Sequence, residues 1–405
     1  MRYATAYHVG RSKAEGGVNQ DSVGVTVFED GHRDGYGSEP PDGDADGSAT
    51  ADRPPGSTRG GGLFVLADGA GGHESGDVAS YIATTVIARE LGPSVQRWTT
   101  ANPSAFDLDV PSLSAESPDA ETVREAITDA VVEAHRAILR HATEEAVRAY
   151  STVVVGVKLG STLHYGWVGD SRAYVYNRAH ERLELLTRDH SPVARKRERG
   201  DIDEVEALVD PTGNEISRAL GGNPTPEYES ASVDVDTASV PLYAEDAVLL
   251  TSDGLIDAQT DYRSLHRVYL DSDRDPEIGE EIREAAVTDE DIEAVLRQRP
   301  SPDEAATAFV DLANDRGGKD NLSVILFDDR SLSSTPPTDD LENRTHPPLV
   351  PLRSQRTRIV SSGTDDDEGE NASDDAALDD AADDDEALME PNDTNGAPPP
   401  RTDSE

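Results

Sequence analysis

The sequence predicts an α+β fold in which two antiparallel sheets are covered by helices. Apolar runs typical of buried strands occur at residues 63–67, 247–251 and 322–327. Between them, residues 78–86 and 123–138 carry apolar side chains at helical spacing. Runs of strands with helices between them indicate layers of sheet and helix around a shared core.

The N-terminal part of the chain is predicted to begin with two paired strands, residues 3–9 and 22–28. The apolar strand that ends at residue 67 follows them. Residues 29–61 consist mainly of Gly, Pro, Asp and Ser. This composition predicts an acidic loop inserted between two core strands.

Two helices are predicted next. The first follows residue 68 and is expected to end at Gly92-Pro93, because proline cannot continue the hydrogen-bond ladder. The second is expected to have Pro118 in its first turn. Its predicted apolar face consists of Val123, Ile127, Val131, Ala134 and Ile138.

Short strands rich in Val, Tyr and Trp follow, at residues 151–159, 162–168 and 173–176. Their tight connections predict an antiparallel meander, with residues 169–172 as the turn between its last two strands.

The C-terminal half returns to strands at residues 233–251. Residues 260–285 are charged and are interpreted as an insertion. A helix is predicted over 289–296, and the sequence at 301–304 resembles a capping box that opens another helix. The strand at 322–327 closes the domain.

The domain is therefore predicted to cover residues 1–328. Residues 329–405 are rich in Ser, Pro, Asp, Glu and Ala. Such a segment buries too little apolar area to offset the entropy of ordering it, so a disordered acidic tail is expected.

Charge and composition exclude several classes of partner and site. The chain of 405 residues has 82 acidic and 36 basic residues, a formal net charge of −46 and no cysteine. Nucleic acid and anionic membranes are therefore not expected as partners. The absence of cysteine excludes a thiolate nucleophile or metal site. With no signal peptide or long apolar segment, a cytoplasmic protein is expected, and the acidic, lysine-poor composition suits a halophile.

Aspartates mark the ends of the predicted strands. Asp68 and Asp253 each follow an apolar strand and precede glycine, and Asp320 precedes the closing strand. Asp21 and Asp170 lie in turns rich in amide or glycine residues. Carboxylates without a cluster of cysteine or histidine favour Mg²⁺ or Mn²⁺ over Zn²⁺.

Several short motifs occur in a characteristic order over nearly all of residues 1–328: Asn19–Asp21, Asp68–His73, Ser151–Thr152, Gly169–Arg172, Asp189–Ser191, Arg218–Gly221, Ser252–Leu255 and Asp320–Asn321. In this order they resemble the metal-dependent serine/threonine protein phosphatases of the PPM (type 2C) family, in its bacterial and archaeal branch. The resemblance implies a four-layer α-β-β-α sandwich, two antiparallel sheets flanked by helices, with metals at one end between the sheets.

The resemblance also implies a catalytic centre with two Mg²⁺ or Mn²⁺ ions. By similarity, Asp68 bridges the ions and the carbonyl of Gly69 binds the second. Asp253 and Asp320 hold the first, and Asp21 contacts metal-bound water. These ions supply the nucleophile and clamp the phosphoryl oxygens.

Four further positions follow from the same resemblance. Gln20 is expected to contact the ions through water, and Asn321 is expected to orient the neighbouring aspartate. Asp170, with Asp253, is the candidate ligand of a third ion, and a hairpin-turn role is the alternative. Glycines occupy the stretch where many members have a phosphate-binding arginine. Arg11 is the candidate replacement, with Lys13 as the alternative.

The expected function is metal-dependent hydrolysis of phosphoserine and phosphothreonine in proteins, in a signalling pathway with a Ser/Thr kinase. The alternatives are a catalytically inactive relative that binds phosphoproteins or acts as a scaffold, and a phosphatase acting on a small molecule. The presence of Asp68, Asp253 and Asp320 favours the enzyme. A monomer is expected.

Overall fold

The computed structural model describes residues 1–13, 17–29, 32–34, 60–70, 75–100, 118–257, 262–337 and 359–360. All of them belong to one unit, Met1–Gly363, and the second unit, Thr364–Glu405, lies outside the described residues.

The helices are α1 (Gly76–Thr100), α2 (Ala120–Glu145), α3 (Pro192–Glu198), α4 (Glu204–Val209), α5 (Tyr262–Asp271), α6 (Pro276–Ala285), α7 (Asp289–Gln298) and α8 (Pro302–Asp315). The strands are β1 (Arg2–His8), β2 (Asp21–Glu29), β3 (His32–Asp34), β4 (Gly61–Ala70), β5 (Ala149–Ser151), β6 (Val153–Leu159), β7 (Thr162–Val168), β8 (Arg172–Asn177), β9 (Arg182–Leu185), β10 (Glu215–Ile216), β11 (Leu220–Gly222), β12 (Asp236–Pro241), β13 (Asp246–Thr251), β14 (Leu322–Asp328) and β15 (Ile359–Val360).

Two antiparallel sheets form the centre of the fold. The first has the strand order β1-β14-β13-β8-β9. The second has the order β11-β5-β4-β6-β7-β12, and β2 pairs with both β4 and β3. Helices α1 and α2 cover the second sheet, whereas α7 and α8 cover the first. The predicted four-layer sandwich is therefore confirmed.

The alternation of side chains along each strand builds three apolar layers. In β4, Leu63 and Val65 pack with α1 and α2, whereas Phe64 faces the other sheet. In β14, Ile325 and Phe327 face the space between the sheets. The rings of Phe64 and Phe327 stack there with centroids 4.0 Å apart. Burial of both faces of these strands explains why their sequences are apolar without interruption.

Two of the predicted strand pairings are wrong. β1 pairs with β14, and β2 pairs with β4, so the two N-terminal strands lie in different sheets. The segment 169–171 likewise connects β7 of one sheet to β8 of the other and is not a turn within a meander. Apolar periodicity identifies a strand, but it carries no information about the partner of that strand.

Helix boundaries also differ from the predictions. α1 continues through Pro93 to Thr100, because Leu91 and Val95 are buried in the core and offset the one hydrogen bond that proline removes. The N-cap of α2 is Asp119, so Pro118 lies before the helix, although the predicted apolar face is buried as expected. The side chain of Ser301 makes no capping bond, and a capping box forms instead at Thr288 and Asp291.

The predicted insertions and tail are partly ordered. The loop at 29–61 contains β3, which pairs with β2, and most of the remaining loop lies outside the described residues. The charged insertion at 260–285 forms α5 and α6.

The ordered chain extends beyond the predicted boundary at residue 328. The Asp329 carboxylate pairs with Lys158, Leu332 is buried, and the backbone N–H of Thr335 donates to Glu245 at 2.8 Å. β15 pairs with β10. Apart from residues 329–337 and 359–360, the predicted tail lies outside the described residues.

Candidate active site

Aspartates from both sheets meet at one end of the sandwich. Asp21 begins β2 and lies directly opposite Asp68 near the end of β4. Asp253 follows β13, and Asp320 precedes its antiparallel neighbour β14. Asp170 precedes β8, which pairs with β13 on its other side. The structure thus brings together the five aspartates that the sequence singled out.

These carboxylates lie close together, Asp170 buried and the others partly buried, and some of their oxygens lack hydrogen-bond donors. Among the described residues, one oxygen each of Asp21, Asp170 and Asp253 is buried and has no hydrogen-bond partner. Burial raises the pKa of Asp68 well above its usual range, and the nearby Asp21, Asp253 and Asp320 raise it further. Burial likewise raises the pKa of Asp21 to about 6. Clustered buried anions of this kind are stabilised by bound cations.

Glycines allow the segments around this cluster to approach closely. A Cβ atom on Gly69 would lie 2.2 Å from the carbonyl oxygen of Gly76 at the start of α1. A Cβ atom on Gly254 would lie 1.9 Å from the carbonyl oxygen of Asn321. Only glycine fits at either position, which explains why glycine follows both Asp68 and Asp253.

Hydrogen bonds from neighbouring polar residues fix the positions of these segments. The side-chain oxygen of Asn321 accepts the backbone N–H of Gln20 at 3.0 Å, and its amide nitrogen donates to the carbonyl of Val9 at 3.1 Å. The hydroxyl of Ser252 donates to Asp21 at 2.9 Å. Asn321 therefore supports the turn that carries Gln20 and Asp21, and Ser252 orients Asp21 directly.

The two basic candidates near the N-terminus lie in different surroundings. The Arg11 guanidinium is 65% exposed and lies 3.6 Å from the exposed Asp315 carboxylate. By contrast, the Lys13 ammonium pairs with Asp320. Burial alone would lower the pKa of Lys13, but the carboxylates of Asp320, Asp253 and Asp68 raise it overall. The 3₁₀ turn at residues 11–13 thus directs the two side chains to different partners, and Lys13 is the one beside the aspartate cluster.

Asp257 lies beside the aspartate cluster, and the sequence patterns did not point to it. Its backbone N–H donates to the carbonyl of Asp253 at 2.8 Å, so it lies one helical turn after Asp253. Burial raises the pKa of Asp170 to about 7, and Asp189 and Asp257 contribute to the shift. The i, i+4 spacing from Asp253 is the signal that identifies Asp257 in retrospect.

The Asp170 turn is held by residues of the Asp189–Ser191 motif. His190 accepts the Gly169 N–H at 3.0 Å on Nδ1, and its Nε2 lies 3.0 Å from the Asp236 carboxylate. Arg172 binds Asp189 through two nitrogens, at 2.9 and 2.6 Å. Arg172 is therefore engaged by Asp189, whereas the form of the turn interpretation in which Asp170 pairs with its own backbone stays open.

The residues at this end of the sandwich suit hard divalent cations. Carboxylate oxygens without partners and glycines beside them are the donors that Mg²⁺ and Mn²⁺ prefer. In the described part of the chain, no three Asp, Glu or His side chains are placed so that they could hold a metal ion by themselves. Water molecules and backbone carbonyls would therefore complete the coordination of each ion, as is usual for Mg²⁺.

No helix within the described ranges is both long enough and apolar enough to cross a membrane.

Known proteins resemble this chain in sequence. The model of the protein phosphatase 2C family matches residues 52–285, more than half of the chain. The serine/threonine phosphatase stp of Listeria welshimeri is 28% identical over 268 residues, which are 66% of this chain and 84% of that protein.

Solved structures show the same fold. A bacterial serine phosphatase superposes with a TM-score of 0.55 at 21% identity, covering 83% of this chain and 99% of its own. The serine/threonine phosphatase PstP/Ppp of Mycobacterium tuberculosis gives a TM-score of 0.51 at 24% identity, covering 81% of this chain and 97% of its own. At these identities the structural likeness concerns the fold alone.

Proposed function

Because the chain belongs to the protein phosphatase 2C family, we propose that it hydrolyses phosphoserine and phosphothreonine in proteins by means of divalent cations held at the aspartate cluster. The observation that carries this proposal is the convergence of Asp21, Asp68, Asp253 and Asp320 at one end of the sandwich, with buried carboxylate oxygens left without partners. Neither the inactive scaffold nor the small-molecule phosphatase is favoured by any feature of this site.

The residues of the cluster divide the ligands of the proposed site among them. Asp68 would contact two ions, and the carbonyl of Gly69 would bind one of them. Asp253 and Asp320 would hold the other, and Asp21, oriented by Ser252, would bind its water ligands. Bound together, two such ions supply a hydroxide nucleophile at neutral pH and neutralise the phosphoryl oxygens. We take the ions to be Mn²⁺ or Mg²⁺.

A third, weaker cation would bind beside the first two. Asp170 and Asp253 each offer a buried oxygen without a partner, and Asp257 lies close to both. A cluster this rich in negative charge attracts additional cations.

Lys13 is the proposed contact for the substrate phosphate. Its ammonium already lies against Asp320, and the charges of Asp68 and Asp253 act on it. A phosphate bound between the ions and Lys13 would replace part of this carboxylate contact. Lysine binds phosphate as a point charge and does not form the two-pronged contact of arginine.

The proposal includes the location, oligomeric state and partners of the protein. We place it in the cytoplasm as a monomer that reverses the action of a Ser/Thr kinase, without nucleic-acid or membrane partners. The net charge of −46 suits a salt-rich cytoplasm, because salt screens the repulsion between acidic surfaces.

A phosphothreonine peptide assay tests the proposed function. Hydrolysis should require Mn²⁺ or Mg²⁺ and should stop in excess chelator, because the chain has no cysteine nucleophile to act without a metal. The assay should be repeated from low to molar salt. Persistent turnover in chelator would refute the metal-dependent mechanism.

A further inference from the structure

The charged insertion packs on a part of the chain that we call the flap, residues 192–216, which contains α3, α4 and β10. Val205 and Val209 of α4 form a hydrophobic cluster with Tyr269 of α5 and Ile282 of α6. This cluster is separate from the three clusters of the sandwich. The main apolar partner of α5 and α6 is therefore the flap helix α4.

Ion pairs of Arg274, in the segment between α5 and α6, hold the first turn of α4. The Arg274 guanidinium lies 3.2 Å from Asp203 and 2.7 Å from Glu206, and the Tyr269 hydroxyl donates to Asp203 at 3.2 Å. Asp203 is the N-cap of α4. Asp273 and Arg274 both adopt left-handed backbone angles, with φ of 58° and 60°. Left-handed backbone angles are unfavourable for two consecutive non-glycine residues. The ion pairs of Arg274 hold them here.

The other end of the insertion contacts the loop that carries Asp320. The Lys319 ammonium lies 4.5 Å from the ring centroid of Tyr262, the first residue of α5. It also donates to the side-chain oxygen of Asn214, in the flap, at 2.6 Å. The amide of Asn214 donates to the Tyr262 hydroxyl at 3.4 Å. The flap, the insertion and the Gly317–Asn321 loop thus contact one another through the side chains of Asn214, Tyr262 and Lys319.

We propose that α5 and α6 brace the flap against the Gly317–Asn321 loop, so that the flap forms a fixed surface for the phosphorylated segment of a protein substrate. Tyr262 and Arg274 are the positioning residues of this brace. The inference rests on the proposed phosphatase function and adds the means by which peptide substrates are held.

The brace affects peptides and small phosphate esters differently. A peptide that contacts a loose flap must order the flap when it binds, and that entropy cost weakens its apparent affinity. A small ester reaches only the ions and the phosphate contact. Removing the brace should therefore raise KM for a peptide and leave the hydrolysis of a small ester almost unchanged.

The test compares four variants with the full-length protein: Tyr262→Ala, Tyr262→Phe, Arg274→Ala and Arg283→Ala. Arg283 is a matched control, because it is an exposed arginine of α6 whose ion pair, with Glu280 at 3.3 Å, lies within its own helix. KM and kcat are measured with Mn²⁺ for a phosphothreonine peptide and for p-nitrophenyl phosphate. Hydrogen exchange of the flap amides is measured in parallel.

We expect Tyr262→Ala and Arg274→Ala to raise KM for the peptide by about tenfold and to accelerate exchange across residues 192–216. Their hydrolysis of p-nitrophenyl phosphate should stay within about twofold of the parent protein. Tyr262→Phe keeps the ring beneath Lys319, so it should resemble Arg283→Ala, with both substrates within about twofold.

Three results would overturn the brace. One is a peptide KM in Tyr262→Ala and Arg274→Ala equal to that of Arg283→Ala, which would leave the phosphatase function intact. Another is an equal loss for both substrates, which would mean that the insertion acts on the metal centre itself. If the parent protein hydrolyses neither substrate, the proposed function fails together with the brace.

Discussion

The two ends of the sandwich contain buried carboxylates in opposite electrostatic environments. At the active-site end, Asp21, Asp170 and Asp253 each keep a buried oxygen without a partner among the described residues. At the far end, Asp328 is bonded by Arg2 and Asp329 by Lys158. Both ends place aspartates beside strands, so the position of an aspartate in a strand pattern does not by itself indicate function.

The pKa shifts follow the same division. Burial alone would raise the pKa of Asp329, but the Lys158 ammonium lowers it. At the active-site end, burial raises the pKa of Asp68 and the neighbouring carboxylates raise it further. A carboxylate cluster without matching cations destabilises the metal-free fold and favours ion binding, whereas the far end is neutralised by the chain's own side chains.

The largest effect is expected at the centre of the active-site end. Asp68→Asn removes the charge that would be shared by both ions, so phosphopeptide hydrolysis should fall by at least about a thousandfold. In chelator the same variant should melt no lower than the parent protein, because one of several mutually repelling charges is gone. Near-normal activity of Asp68→Asn would contradict the proposed metal site.

The far end should show the opposite pattern, with loss of stability and retained activity. Lys158 is fully buried, and Lys158→Met would leave Asp329 charged in the core. We expect the free energy of unfolding to fall by about 3–5 kcal/mol, measured by urea denaturation. Activity per folded molecule should not change at low temperature. A loss of activity without a loss of stability would remove the distinction between the two ends.

Within the active-site end, Lys13 and Arg11 are expected to differ in their effect on phosphate binding. Lys13→Met should raise KM for a phosphopeptide by about thirtyfold, because it removes a charge-assisted contact to phosphate. Arg11→Met is the matched control, since the ion pair between its guanidinium and Asp315 is exposed, and it should stay close to the parent protein. The reverse order of effects would restore Arg11 as the phosphate-binding residue.

A smaller effect is expected at Asp170. If it binds a third, weaker cation, Asp170→Ala should shift the metal-activation curve to about tenfold higher Mn²⁺ and lower the maximal rate, with an unchanged melting temperature at saturating metal. If Asp170 only stabilises its turn, the melting temperature should fall instead and the activation curve should keep its position. Metal titration of activity and thermal melts of the same samples distinguish the two roles.

The smallest expected effect concerns the pH dependence of the far end. Because the folded-state pKa of Asp329 is lowered, its contribution to stability is present above the unfolded pKa of about 3.9 and is lost as pH falls through the folded value. Asp329→Asn should therefore be less stable than the parent protein by a constant amount between pH 5 and 8. The gap in urea denaturation should close below about pH 4. A gap that persisted at lower pH would rule out the charge as its cause.

The sequence determined the features that depend on local pattern. Apolar runs located most of the strands of the sandwich, and the helical spacing of apolar residues identified the buried face of α2. The aspartates at strand ends were identified together with the glycines that the close packing of their turns requires. These features follow from side-chain periodicity and backbone conformation, which a short window of sequence contains.

Only the tertiary structure decided which segments meet. In the structure, β1 and β2 lie in different sheets, residues 169–171 connect one sheet to the other, and Asp257 lies beside Asp253. The structure also pairs Lys13 with Asp320 across 307 residues and Lys158 with Asp329 across 171. Such pairs join distant parts of the chain, so local pattern cannot reveal them. The charge partner of a carboxylate distinguishes the active-site end from the far end. That partner depends on the folded arrangement of both sheets.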